Sequence, residues 1–336
     1  MELTKTNLAR EIIKRPDIID FLKSNRSISD LFEIKNDLAE DRLNLYKRLY
    51  KGVGNTPCYI TNLPNNNTLY LKLEHLNSMG NNHYSRFWIP YLFLCEALNI
   101  IKPGITKIIE VTSGSSGISL SLACKYLGYD LFMVIPDSLP RGRKDPMENN
   151  HAKLITVPGY IDSCILKLQE LVKSGNYFAA NHSDEKSNLI TYIFKRIAIE
   201  HYNQFGIPDY CILGLGNGSS TYAIANFFKN IDSRTKVISY HSDIAKNKII
   251  LGLLPPRIPS GLLKHVKHAR QISDQITILN ESEAKDTLEY FKFDSEIATL
   301  GLSTIYGISI ALKLSFLKEN LTIFSIGFDN IYRYYG

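Results

Sequence analysis

Short apolar segments alternate with longer amphipathic segments through most of this chain of 336 residues. The short segments have the length of buried strands, and the longer ones carry apolar residues at helical spacing. Buried strands separated by helices are typical of parallel sheets with helices on both faces, so the order of the segments predicts the α/β class. Seven strands are predicted, at residues 69–73, 107–111, 131–135, 154–157, 210–213, 237–240 and 322–325.

Helical patterns fill much of the remaining sequence. The first 50 residues also read as helical, with breaks near Pro16 and at residues 25–29, and they carry an apolar stripe that needs a partner surface. We expect this extension to pack on its own chain or on a second subunit. The basic segment KHVKHAR at residues 264–270 reads as a solvated surface turn. Helices are predicted at residues 118–127, 161–172, 189–202, 222–229 and 304–317, and the stripe consists of Leu31, Ile34, Leu38, Leu45 and Leu49.

Composition and charge argue against several classes of protein. The chain is 44% hydrophobic and 21% charged, and its formal charge of +6 comes from scattered residues, which disfavours nucleic-acid binding. No apolar run approaches the roughly 20 residues that a membrane-spanning helix needs, and the N-terminus lacks an apolar signal segment. The five cysteines lie far apart and fit neither a disulfide framework nor a metal site. We therefore expect a cytoplasmic protein with no membrane, metal or nucleic-acid partner.

Two loops rich in glycine and serine each follow a predicted strand and precede a predicted helix. Free N–H groups at a helix N-terminus favour an anion, and glycine lets the backbone approach a ligand closely. GLGNGSS at residues 214–220 is therefore a candidate phosphate site, and TSGSSG at residues 112–117 is a candidate carboxylate site. Either loop could instead be a tight turn or a helix cap without a ligand. The first loop lacks the G-x-G-x-x-G spacing of a dinucleotide fingerprint.

A third loop, NSMGNNHYSR at residues 77–86, joins a predicted strand to an apolar helical segment. It contains His83 and no lysine. A histidine can move protons near neutral pH, but its imidazole cannot form an imine with an aldehyde. His83 could equally be a structural residue that bonds to the backbone or to Tyr84.

Together with VGNTP at residues 53–57, these loops resemble in order and spacing those of the cysteine synthase and cystathionine β-synthase family. That family consists of pyridoxal-phosphate (PLP) enzymes of fold type II. The resemblance covers about residues 51–330 and implies a two-lobed α/β fold, similar to that of the tryptophan synthase β subunit, in a homodimer. It implies a large lobe of residues 51–88 and 189–336 and a small mobile lobe of residues 89–188, after a helical extension of residues 1–50.

The resemblance also assigns roles to the loops. In the family, a lysine forms a Schiff base with PLP, and His83 stands at its position. The residue that faces the pyridine nitrogen is matched by Ile326 or Gly327, and Ser303 and Thr304 resemble hydroxyl residues near the ring or substrate. The family's phosphate loop is matched by Gly216, Asn217, Gly218, Ser219 and Ser220. Its substrate-carboxylate loop is matched by Thr112, Ser113, Gly114, Ser116 and Gly117, with Ser115 at the Asn that touches the ring.

Three altered cofactor contacts beside two retained anion loops predict a changed chemistry. Our leading hypothesis is a diverged family member that lacks lysine-dependent PLP catalysis. It would bind an amino-acid-like ligand with phosphate and carboxylate groups, in regulation or in assembly with a protein partner. PLP would bind non-covalently, or another phosphate-bearing ligand would replace it. The alternative is an active enzyme that performs β-elimination or β-replacement on a serine-like substrate, with non-covalent PLP and His83 as proton carrier. A nucleotide-binding protein is a third hypothesis.

Overall fold

The computed structural model describes residues 7–184, 187–242, 252–253, 263–278 and 281–335. The chain forms two compact units. Unit 1 comprises the described residues of Met1–Val53 and Asn77–Ile193, and unit 2 comprises those of Gly54–Leu76 and Phe194–Gly336. Residues 77–88 thus pack with unit 1. The two units are defined by contacts, whereas the lobes expected from the sequence are parts that move as one body. The boundaries and the mobility of the lobes therefore stay predictions.

The predicted strands and helices all form, with ends that shift by a few residues. Unit 1 holds strands β3 to β6 and unit 2 holds the other described strands, so the predicted α/β class is confirmed. The strands are β1 (Cys58–Leu63), β2 (Asn67–Lys72), β3 (Lys107–Val111), β4 (Asp130–Pro136), β5 (Lys153–Val157), β6 (Phe178–Ala179), β7 (Tyr210–Gly214), β8 (Lys236–His241), β9 (Gln275–Ile278) and β10 (Thr322–Ile326). The helices are α1 (Asn7–Ile13), α2 (Pro16–Lys23), α3 (Glu40–Tyr50), α4 (Ser85–Ala97), α5 (Ser115–Leu127), α6 (Arg141–Asn149), α7 (Ile161–Val172), α8 (Leu189–Phe205), α9 (Ser219–Ile231), α10 (Leu263–Ile272), α11 (Glu281–Tyr290), α12 (Ser295–Ala298) and α13 (Leu302–Leu317).

The sheet of unit 1 is parallel and has the strand order β5-β4-β3-β6. Its central strands consist of buried apolar residues such as Ile109 and Val134, because helices cover a parallel sheet on both faces. Strand β6 has only two residues, too few to produce a pattern, and the sequence did not predict it.

The sheet of unit 2 is mixed and has the order β1-β2-β10-β7-β8-β9, with β1 antiparallel to β2. The predicted parallel sheet thus carries one antiparallel strand at this edge. The tight turn between these strands contains Asn65 and Asn66, both at φ +57°, and so short a connection permits only an antiparallel pair. Strands β1 and β9 are edge strands with partly exposed residues, so neither has the buried apolar run that revealed the others.

The N-terminal extension packs on its own chain. Leu31 and Leu49 of the apolar stripe are buried, and Tyr46 of α3 packs edge-on against Phe93 of α4. An ion pair also joins Arg42 to the buried Glu96 of α4. These contacts make the extension part of unit 1. The first six residues of the extension lie outside the described range.

The interpretation of residues 264–270 as a surface turn was wrong. They belong to α10, which packs on α9. His265, Val266 and Ala269 are buried, because apolar residues three apart give this basic segment one apolar face. Among the described residues, no helix has both the length and the apolar composition that crossing a lipid bilayer requires.

Candidate functional site

Each predicted anion loop follows a parallel strand at a point where the strand order of its own sheet reverses. In unit 1 the chain runs from β3 to β4 and β5 on one side, whereas β6 lies on the other side of β3. In unit 2 it runs from β7 to β8 and β9 on one side, whereas β10 lies on the other side of β7. Open parallel sheets bind ligands outside the carboxyl ends of their strands at such reversals. Residues 112–117 and 214–220 thus occupy the position in their respective sheets where ligands usually bind.

The loop at residues 112–117 is held in a fixed shape by its own first side chain. The Thr112 hydroxyl oxygen accepts hydrogen bonds from the N–H groups of Gly114 and Gly117, each at 3.0 Å. Gly114 has φ +135°, and a Cβ there would come within 2.2 Å of the buried Arg143 side chain. A Cβ on Gly117 would lie 2.5 Å from Thr112. Both glycines are therefore required by packing, whether or not a ligand binds.

Three side chains from outside this loop hold it in place, and sequence reasoning missed all of them. The Trp88 indole donates to Ser116 Oγ at 3.1 Å. Arg143 Nη1 donates to the Ser113 carbonyl at 2.8 Å, and Asn82 Nδ2 donates to the Ser115 carbonyl at 3.0 Å. Ser116 is buried, whereas the side chains of Ser113 and Ser115 keep some exposure. Ser113 and Ser115 are therefore the better candidates for contact with a carboxylate.

His83 lies on a tightly held loop in unit 1. Asn82 Oδ1 accepts from the Tyr84 N–H at 2.9 Å and from the Ser119 hydroxyl at 3.0 Å, which fastens the loop to α5. Gly80 has φ +83°, and a Cβ there would lie 2.5 Å from Ser119 Oγ. The His83 side chain is buried, and its ring centroid lies 4.3 Å from that of Tyr84. The rings of His83 and Tyr84 therefore lie in contact.

In the loop at residues 214–220, Asn217 is oriented by its carbonyl oxygen. Oδ1 accepts from the Ser219 N–H at 3.1 Å and from the Ser219 hydroxyl at 2.6 Å. The amide nitrogen Nδ2 is buried and has no hydrogen-bond partner among the described residues. A buried donor without an acceptor is costly, so this nitrogen suits an acceptor supplied by a ligand. An anion is the acceptor that a loop at a helix N-terminus favours.

The glycines of this loop have a packing role of their own. Gly218 has φ +83°, and a Cβ there would lie 2.7 Å from the backbone of His265 in α10. A Cβ on Gly216 would lie 2.8 Å from the carbonyl oxygen of Gly252. The turn thus needs glycine for contacts within unit 2. The Asn217 amide, rather than the glycine spacing, is the observation that indicates a ligand.

The hydroxyl residues near the end of β10 are engaged within unit 2. Thr304 Oγ1 accepts from the Phe328 N–H at 3.0 Å, and Ser303 Oγ lies 3.0 Å from the Tyr334 hydroxyl. Ile326 is fully buried, and the Gly327 N–H donates to a backbone carbonyl at 2.8 Å. Neither Ile326 nor Gly327 offers a side-chain hydroxyl, so the ring-nitrogen contact that the resemblance implies has no donor at these positions.

A family model described as pyridoxal-phosphate dependent enzyme matches residues 49–287 of this chain. The chain is 30% identical to a cysteine synthase of Flavobacterium sp. strain K3-15 over 207 residues, 60% of this chain and 66% of that protein. It is 25% identical to O-ureido-L-serine synthase of Streptomyces lavendulae over 291 residues, 82% of this chain and 86% of that protein. The match to the Flavobacterium protein thus covers slightly less than two thirds of that relative's length.

Solved structures share the fold at lower identity. An O-ureido-L-serine-bound mutant of O-ureido-L-serine synthase, with alanine in place of a lysine, aligns with a TM-score of 0.74 and 23% identity, over 85% of this chain and 91% of that one. The O-acetylserine dependent cystathionine β-synthase of Helicobacter pylori aligns with a TM-score of 0.74 and 21% identity, over 85% of this chain and 96% of that one. The expected fold type II architecture is confirmed.

Proposed function

Because this chain belongs to the family of pyridoxal-phosphate dependent enzymes, we propose that it is a diverged member that binds its ligand without covalent attachment. It binds a phosphate-bearing compound at residues 216–220 of unit 2 and the carboxylate of an amino-acid-like compound at residues 113–117 of unit 1. The phosphate-bearing compound would be PLP bound non-covalently, or another compound in its place. The protein then acts in regulation or in assembly with a partner protein rather than through lysine-dependent catalysis.

The single observation that carries this proposal is His83. It occupies the loop between β2 and α4, where the sequences that this chain resembles have the attachment lysine. The imidazole is buried on a loop whose shape is fixed by Asn82, so the substitution is built into a rigid local structure. Imidazole is not a primary amine, so covalent catalysis through an imine cannot start from it.

The residues present fit part of PLP and not the rest. The phosphate fits the loop at residues 216–220, where the buried Asn217 Nδ2 needs an acceptor. The carboxylate of an amino acid fits the half-buried Ser113 and Ser115. The attachment position and the ring-nitrogen position lack the side chains that PLP chemistry uses. This combination supports binding through anionic groups alone, at one loop in each unit.

Calorimetry and absorption spectroscopy on the purified protein test the proposal. We expect inorganic phosphate and PLP to bind at one shared site, and L-serine and O-phospho-L-serine to bind through their carboxylates. With PLP bound, the spectrum should be that of the free aldehyde, as no lysine is attached. A spectrum of lysine-attached PLP in the protein as purified would overturn the proposal. Lack of binding by phosphate and by PLP would overturn it as well.

A second candidate is a working enzyme of amino-acid metabolism, favoured because the relatives found by comparison are named as synthases. PLP, when bound, would supply a ring that withdraws electrons from the substrate carbon. The side chains at residues 113–117 would orient the carboxylate, and His83 would carry the proton. Product formed from O-acetylserine, O-phosphoserine or serine with added PLP would favour this candidate. The homodimer, the cytoplasmic location and the partner protein stay predictions.

A further inference from the structure

His182 lies at the edge of the unit 1 sheet where the strand order reverses, outside the candidate carboxylate loop. It follows β6, which pairs in parallel with β3, and Ala179 pairs with Ile109. Three residues after the end of β6, the His182 backbone N–H bonds to the side chain of Glu110 in β3, two residues before Thr112, where the candidate carboxylate loop begins. The histidine therefore stands beside this loop at the strand reversal where ligands bind.

Glu110 holds His182 in place. One carboxylate oxygen of Glu110, Oε2, accepts from the His182 backbone N–H at 3.0 Å and lies 3.3 Å from the ring nitrogen Nδ1. The other oxygen, Oε1, accepts from the Val111 N–H at 2.7 Å. The side chains of Glu110 and His182 are 2% and 6% exposed. Both carboxylate oxygens thus accept from backbone N–H groups, which fixes the His182 backbone and keeps Glu110 close to the imidazole.

The His182 ring contacts two aromatic residues, each of which contacts a candidate site residue. Its centroid lies 5.5 Å from the Trp88 ring and 5.3 Å from the Tyr84 ring, both in edge-on geometry. Trp88 in turn donates to Ser116 of the carboxylate loop, and Tyr84 contacts the ring of His83. One imidazole thus touches both the side chain that holds the loop and the side chain that contacts His83.

We propose that His182 is a positioning residue that couples the carboxylate loop to His83, through Trp88 on one side and Tyr84 on the other. The proposal rests on the proposed function for its ligand, the carboxylate of an amino-acid-like compound. Glu110 holds the His182 backbone and lies close to its ring, and the imidazole fixes the orientation of the indole and of the phenol ring. If His182 only filled space, His182→Leu would still disturb the indole, but Glu110→Gln, which keeps the packing, would leave the indole and His83 unchanged.

The chain contains a single tryptophan, so the fluorescence of Trp88 reports on this cluster directly. The test compares His182→Leu and Glu110→Gln with His268→Leu, whose ring contacts Tyr222 in unit 2. Without any ligand, we expect both cluster variants to shift the Trp88 emission and the His83 ring signals in carbon-13 NMR. The control variant should change neither. Unchanged spectra in both cluster variants overturn the proposal.

Binding then separates this inference from the proposed function. In both cluster variants we expect the affinity for L-serine to fall at least tenfold, while the affinity for inorganic phosphate, bound in unit 2, stays within about twofold. An equal loss for both ligands would indicate general damage and would overturn the positioning role.

If the wild-type protein binds phosphate but no amino acid, the proposed carboxylate site fails. The ligand-free spectra still decide the role of His182. Because Glu110→Gln keeps the shape of the side chain, it provides the answer if His182→Leu does not fold.

Discussion

Lys72 Nζ lies 2.8 Å from a carboxylate oxygen of Glu200, inside unit 2. The same ammonium group donates to the Thr56 carbonyl at 2.5 Å, and the Lys72 side chain is only 1% exposed. A lysine side chain held by a buried ion pair and a backbone hydrogen bond is a poor nucleophile. Lys72 is the lysine that precedes His83 most closely in the sequence, and it does not replace the missing amine.

Restoring a lysine at position 83 tests the role of this substitution. In the variant His83→Lys we expect PLP to become attached to residue 83, because the new amine stands on the same rigid loop as the buried imidazole. Peptide mass mapping after borohydride reduction measures the attachment. The matched control is Ser78→Lys, which adds an exposed lysine to the same loop. Equal labelling of the two variants would mean that position 83 has no special access to the ligand.

The Asn217 amide makes a prediction for phosphate binding. In Asn217→Asp the oxygen that accepts from Ser219 remains, but the buried donor becomes an anionic oxygen that repels phosphate. We expect the affinity for inorganic phosphate to fall at least tenfold in calorimetry. Asn330→Asp is the matched control, because Asn330 also accepts from a backbone N–H two residues ahead, that of Tyr332. A normal phosphate affinity in Asn217→Asp would remove the main evidence for an anion in this loop.

The attachment of the N-terminal extension depends on Glu96. Its carboxylate accepts two bonds from Arg42, at 2.6 and 2.7 Å, and one each from Tyr46 and Tyr129. Burial raises the pKa of Glu96, but the hydrogen bonds from Arg42, Tyr129 and Tyr46 outweigh it and leave the pKa below the ordinary value of 4.5. We expect Arg42→Ala to lower the free energy of unfolding by about 3 kcal/mol at pH 7, because it leaves a buried charge without its counterion.

The sign of the pH effect follows from the lowered pKa of Glu96. The stabilisation is fully present above pH 4.5 and is lost as the pH falls through the pKa of the folded state. Urea unfolding of Glu96→Gln at several pH values should therefore lack this loss. Lys14→Ala, which breaks an exposed pair with Glu11, serves as the control and should change stability by less than about 0.5 kcal/mol. A similar effect of Arg42→Ala and Lys14→Ala would contradict the assignment.

A second pH effect is expected in unit 2, from His201. Burial, with a smaller contribution from the positive charge of Lys72, lowers the pKa of His201 from 6.5 to about 4. Between these values the unfolded chain binds more protons than the folded one, so stability falls as the pH drops from 6.5 towards 4. The variant His201→Phe should weaken this dependence in urea unfolding, and His268→Phe should not. If the stability of His201→Phe and of the wild type depended on pH in the same way, His201 would not be the source of this effect. The ring is packed against Tyr70, Phe205, Phe228 and Phe324.

The sequence predicted the buried strands and the loops after them, because apolar runs and glycine-serine clusters are local signals. The edge strands β1 and β9 were not predicted, because half-exposed strands lack such an apolar run. The roles of Trp88, Arg143 and His182 were not predicted, for a different reason. Each acts through a contact with a residue far away in the sequence, and no spacing of residue types announces such a contact. The packing role of Gly218 against α10 was hidden in the same way.

Borohydride reduction of the wild-type protein with bound PLP, followed by peptide mass mapping, tests whether PLP binds without covalent attachment. We expect PLP to bind and to be lost on dialysis, and no single lysine to carry a stoichiometric phosphopyridoxyl group after reduction. The variant His83→Lys, treated in parallel, shows that the reaction works on this loop. Stoichiometric labelling of one lysine in the wild-type protein would contradict the account.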